Sequence, residues 1–210
     1  MSDALRVTQL TCSRLCHDLV GAAGAVNAGL EILAEMGALD DSAMDLATKS
    51  GLELTRRLAF YRVAFGAGGT GSGGSDVAGL KKLANEFLAG GNVTLNWAEN
   101  ESTPDELDPV LGKLLLNLIL IASECLPRGG HVGVNAAEFE GGVGIAVEAS
   151  GENAGLREDL ATAMTPGQAV EKLDSRCIHG LLTQFLVLEA GCELEVAADA
   201  EVVRFAAVMV

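Results

Sequence analysis

Basic residues are scarce in this chain. Fourteen Lys and Arg stand against 29 Asp and Glu in 210 residues, a formal net charge of −15. Such a chain lacks the basic footprint that meets nucleic-acid phosphates and the basic face that binds anionic lipid. Long apolar runs are missing too. The longest, Leu114 to Leu120, is interrupted by Asn117 and is far too short to span a bilayer. The opening MSDALRVTQL has no charged start followed by an apolar core, so no secretory leader is expected. The five cysteines, at 12, 16, 125, 177 and 192, form no CxxC pair and no Cys/His spacing of a zinc site. These absences predict a cytoplasmic protein with free thiols, no bound metal, and neither a membrane nor a nucleic-acid partner.

Apolar residues make up 49%, ample for a core, and the length allows one domain or two small ones. Glycine is in excess, and residues 66–75, GAGGTGSGGS, hold six of them, the composition of a flexible linker. Charge divides unevenly about this run. Residues 1–65 carry 8 acids and 6 bases; residues 66–210 carry 21 acids and 8 bases. Three segments are therefore expected: a helical hairpin over 1–66, a linker over 67–75 and an α/β domain over 76–210.

Proline is absent from Leu5 to Met36. With Leu5 at heptad position a, the a positions are Leu5, Cys12, Leu19, Val26 and Leu33. The d positions are Thr8, Leu15, Ala22, Gly29 and Met36. Small and apolar residues thus recur at the 3.5 period of a helix packed in a bundle. Cys12 and Cys16 read as small buried hydrophobes. A turn over Gly37–Asp41 leads to a second helix, about 42–65, with Met44, Leu54, Leu58, Tyr61 and Phe65 inward. Two helices do not enclose a core, so a homodimeric four-helix bundle is expected.

Beyond the linker the pattern alternates. Helices are predicted over 77–88 (Asp76 as cap), 107–125 (Asp108 as cap, Pro109 in the first turn), 156–164 and 175–190. Strands are predicted over 93–97, 131–139, 143–149, 192–196 and 202–210. Helices on one face of a mixed sheet make a two-layer sandwich, and the fold class is α+β.

His17, in CSRLCHDLVG, falls at position f, away from the seam. Its neighbours one turn on are small, which leaves the imidazole open to a partner surface. An exposed imidazole is largely neutral at pH 7 and so nucleophilic, and Asp18 beside it can orient the ring. If the hairpin turn centres near residues 39–40, Arg62 lies level with His17 and offers a planar cation to an anionic group there.

The stretch CHDLVGAAGAVNAGLEIL, followed by RLAFYRVAFGA, resembles the ChpT-type histidine phosphotransferases of alphaproteobacteria. Ala22 departs from many such boxes, which carry proline five residues after the histidine. The resemblance implies a dimeric hairpin carrying a phosphoaccepting His17. It also implies a C-terminal domain related to the ATP-binding domain of histidine kinases. There Asn117 and Pro127-Arg128-Gly129-Gly130-His131-Val132 fit the kinase layout, but Ile121 stands where a second asparagine would ligate Mg²⁺. Ala149-Ser150-Gly151-Glu152-Asn153 lacks the adenine-reading aspartate. The domain is therefore expected to be degenerate and to take no nucleotide.

The resemblance further implies a phosphotransferase that shuttles a phosphoryl group between receiver aspartates. It would use no cofactor of its own, the Mg²⁺ belonging to the receiver. Its expected partners are the receiver of a hybrid histidine kinase and response regulators. A non-catalytic adaptor and an active histidine kinase are the alternatives.

Overall fold

The computed structural model describes residues 2–36, 41–67 and 76–209. Two long helices open the chain, α1 (Asp3–Met36) and α2 (Asp41–Ala64), packed against each other along their length. The close approach comes from small side chains. Gly29 is buried against Ala43 and Ala47, where an added Cβ would lie 2.9 Å from the Ala43 carbonyl oxygen. Of the expected turn, Gly37–Asp41, residues 37–40 lie outside the described residues and Asp41 already belongs to α2; the expected linker lies outside them too, apart from Ala67.

The rest is a five-stranded sheet with helices on one face. In chain order it comprises α3 (Val77–Leu88), β1 (Val93–Ala98), α4 (Pro109–Glu124), β2 (Gly130–Phe139), β3 (Gly142–Ser150) and α5 (Glu158–Met164). A 3₁₀ turn (Val170–Lys172), α6 (Ile178–Glu189), β4 (Glu193–Asp199) and β5 (Val202–Met209) complete it. The strand order is β1-β2-β3-β5-β4, with β1 parallel to β2 and the other pairs antiparallel.

Local chemistry sets the helix starts. The Asp76 carboxylate accepts from the backbone N–H groups of Ala78 and Gly79, and Asp108 accepts from those of Val110 and Leu111. Gly191, at φ 65°, ends α6 in the left-handed region. Helix α4 is buried on nearly every side, as its unbroken Leu/Ile run requires.

The hairpin is not a separate body on a tether. Phe60, Tyr61 and Ala64 share one core cluster with Leu80, Leu114 and Leu118. The Phe60 ring stacks on Phe87 of α3 at 4.0 Å. The Asn117 amide of α4 donates to the Ala64 carbonyl at 2.9 Å. At the other end, the Arg6 guanidinium donates to the carbonyls of Val170, Glu171 and Leu173.

This docking corrects the reading of the cysteines. Cys12 and Cys16 are exposed, not buried. Helix α1 runs past the end of α2, and its first turns face α6 and the 3₁₀ turn instead. The inward face there passes through Val7, Leu10, Arg14 and Leu15, and the heptad register anchored on Leu5 and Cys12 does not hold. On α2, Tyr61 is buried and Leu54 partly so, as is Phe65 just past its end, and Met44 and Leu58 are exposed on the single chain. The last helix starts at Ile178, three residues later than predicted, because Ser175 to Cys177 form turns after Asp174.

Candidate functional site

His17 stands midway along α1 with its side chain 85% exposed. Its Nδ1 lies 3.3 Å from Oδ1 of Asp18. Asp18 is the opposite case, its side chain only 11% exposed. The other oxygen, Oδ2, accepts from Arg14 Nε at 2.7 Å and from the Tyr61 hydroxyl at 2.9 Å. Arg14 and Asp18 are four apart on α1, so they share a face. Tyr61 reaches in from α2.

Arg14 makes further bonds. It donates through another nitrogen to Oε1 of Glu124, the last residue of α4, and through Nη1 to the Arg176 carbonyl at 3.1 Å. Glu124 Oε2 lies 3.2 Å from Nε2 of His179 and 3.7 Å from Nη1 of Arg157. His179 is wholly buried. The contact between His179 and Glu124 has the distance of an ion pair without the alignment of a hydrogen bond. A chain of polar contacts thus runs from the interior of α6 to the imidazole on α1.

Burial and charge compete along this chain. Burial alone would raise the Glu124 carboxyl, but His179 and Arg14 outweigh it and hold it below the usual carboxylate range. Burial works against the Arg14 charge, and Glu124 and Asp18 outweigh it in turn, so Arg14 stays protonated. The Tyr61 phenol is pushed up, first by burial and then by the negative Asp18 beside it, and serves as a donor. Burial likewise pushes the Cys125 thiol up to about 12, which leaves it inert.

Arg14, Asp18, Arg57, Tyr61, Phe87 and Glu124 line an open cleft of about 740 Å³ between the hairpin and the α3–α4 face. Arg57 approaches the Phe87 ring at 5.9 Å to its centroid. The register that sets Tyr61 against Asp18 also sets Arg62 at about the height of His17. Arg62 is exposed and enters no ion pair or side-chain hydrogen bond among the described residues.

Asn117, which fits the first of the two asparagines in the kinase layout, is wholly buried. Its amide donates to the carbonyls of Ala64 and Lys113. Ile121 and Ala149 are core residues. Helix α5 lies directly on α6 at Gly180, where an added Cβ would come within 2.9 Å of Leu160 and 3.0 Å of Ala163.

Sequence reasoning singled out His17 and Asp18, which the structure brings together. It passed over Arg14, Tyr61, Glu124 and His179 as parts of the site. Arg14 had a signal, the i, i+4 spacing to Asp18. Glu124 and His179 had none, because only the docking of the hairpin onto α4 and α6 brings them near.

The structure thus joins a helical hairpin, carrying an exposed histidine beside a buried carboxylate, to a five-stranded α/β domain. Residues 77–202 match the family model described as the histidine phosphotransferase C-terminal domain, and the chain belongs to that family. Along its length it is similar to the protein phosphotransferase ChpT of Brucella abortus (strain 2308). The two are 31% identical over 204 residues, covering 97% of this chain and 96% of the relative. A solved structure described as a bacterial phosphotransferase superposes with a TM-score of 0.82 at 30% identity, covering 99% of this chain and 97% of that one. The chain is accordingly a phosphotransferase of this family.

Proposed function

We propose that His17 is the phosphoacceptor of a relay and carries a phosphoryl group between receiver-domain aspartates. The observation that carries the reading is the exposed imidazole with Nδ1 beside Asp18, which leaves Nε2 facing outward. A phosphorylated receiver, holding its own Mg²⁺, docks over the hairpin. The Nε2 lone pair of neutral His17 attacks phosphorus in line. The N–P bond forms as the aspartyl O–P bond breaks, and its electron pair returns to the receiver's carboxylate. Asp18 accepts the hydrogen bond from Nδ1–H and offsets the positive charge that develops on the ring. The reverse steps deliver the group to a second receiver. Arg62 serves as a phosphate-holding cation at the height of His17.

The donor is read as the receiver of a hybrid histidine kinase, and the acceptors as response regulators, in the cytoplasm. No helix among the described residues is long and apolar enough to cross a membrane. The chain is read as taking no nucleotide. In support, Asn117 is engaged by the α2 end, and Ile121 and Ala149 offer no ligand atom.

Two copies are read as pairing through the outward apolar side chains of the hairpin, among them Leu30, Met44, Leu52 and Leu58. Covering these would complete a four-helix bundle. A single-chain mass by light scattering would remove the pairing.

The test of the acceptor is label transfer from a radiolabelled phospho-receiver. Acid-labile, base-stable label is expected on the wild type and none on His17→Ala. Label retained on His17→Ala would move the acceptor elsewhere. Arg62→Ala is expected to slow transfer without abolishing it, and an unchanged rate would remove its role.

A further inference from the structure

We infer that Arg14 and Tyr61 are positioning residues for the phosphoacceptor, and that the C-terminal domain takes part in transfer by holding Arg14 through Glu124. The inference rests on the phosphohistidine reading and adds what that reading leaves open, the work of the second domain.

His17 has little of its own to fix it. Its one polar side-chain contact among the described residues is Asp18 Oδ1, at 3.3 Å. A solvent-facing imidazole samples several rotamers and both neutral tautomers, and in water the free ring favours the proton on Nε2, the atom that must be bare to attack. The ring is held for reaction only as well as Asp18 is held. Asp18 is held firmly. Arg14 Nε and the Tyr61 hydroxyl both occupy Oδ2, which turns Oδ1 to Nδ1 of the histidine. An acceptor at Nδ1 keeps the proton there and leaves the lone pair on Nε2.

Arg14 is itself pinned. Its planar guanidinium bonds Asp18, Glu124 and the Arg176 carbonyl through three different nitrogens, which fixes the plane of the fork. Two of those three partners belong to the C-terminal domain. Glu124 is anchored in turn by His179, at 0% exposure inside α6. Tyr61 is fixed independently, its ring stacked on Phe65 at 5.3 Å and edge-on to Phe60. A network that only fastened the hairpin to the domain would have no reason to end on the residue that touches the acceptor.

The experiment is ¹⁵N NMR of the histidine ring in the full chain, paired with single-turnover transfer from a phospho-receiver. In the wild type, above the imidazole pKa, His17 is expected mainly as the Nδ1–H tautomer. Tyr61→Phe keeps the ring stack, and Arg14→Lys keeps the charge but not the fork. In both, the ring is expected to relax toward Nε2–H. The rate at saturating donor is expected to fall about tenfold, with the half-saturating donor concentration unchanged. Glu124→Gln is expected to shift both readouts in the same direction.

A wild-type His17 already in the Nε2–H form would overturn the inference without any variant. So would variants that melt earlier yet keep the wild-type tautomer and saturating rate, since the network would then be structural only. Label on His17→Ala would instead bring down the phosphohistidine reading, which separates the two failures.

Discussion

Glu124 shows how much one carboxylate does here. It ends α4, accepts from Arg14, and lies within ion-pair distance of His179 and Arg157. Its folded carboxyl titrates below the ordinary value of 4.5. The sign follows from linkage. A carboxyl depressed on folding stabilises the fold fully above its unfolded value, and that contribution is lost as pH falls through the folded one. Glu124→Gln is therefore expected to destabilise the protein near neutrality by about 1–3 kcal/mol. It should also flatten the fall of stability below about pH 4.5. Urea melts across that range check both; a variant that falls as steeply as the wild type would show that Glu124 is not the group titrating. The site was legible in the sequence only as far as one helix carries it. His17, Asp18 and, by spacing, Arg14 lie on α1. Tyr61 depends on hairpin register. Glu124 and His179 sit over a hundred residues away, and no local periodicity points from them to His17.

Among the elements, α1 explains most about how the parts are joined. Its upper half packs on α2, its lower half on α6 and the 3₁₀ turn, and His17 stands near the change of partner. The upper contact depends on Gly29, whose missing side chain lets the Ala43 and Ala47 backbone approach. Gly29→Leu is expected to force the helices apart and cost about 1–3 kcal/mol. Thermal melts and the far-ultraviolet helix signal would measure this; an unchanged midpoint would mean that the hairpin holds by other contacts.

Sequence chemistry located the elements well where a cap marks them. Asp76, Asp108 and Gly191 each stand where the structure puts an end. It failed where tertiary contact overrides pattern. Cys12 keeps a heptad place but loses its partner, because α2 stops at Ala64. The contacts that fasten hairpin to domain, through Phe60, Asn117 and Arg6, have no local signature in the sequence.

For the whole molecule, the acidic second half and the apolar outer face of the hairpin set different tasks. The charge of −15 favours solubility and would repel an acidic partner surface while attracting a basic one. The exposed leucines ask to be covered. The cleft beside Asp18 lies between the hairpin and the second domain, and His17 stands outside its lining. On the proposed reading the second domain braces the acceptor and supplies no phosphate, and the chain is an intermediate that receives one phosphoryl group and passes it on. The most direct measurement is a time course in which one labelled phospho-receiver, the chain and a second, unlabelled receiver are mixed without nucleotide. Label is predicted to appear on the chain first, pass to the second receiver and leave the chain bare, with no passage when His17→Ala replaces the wild type. Label reaching the second receiver equally well with His17→Ala, or never leaving the first, would contradict it.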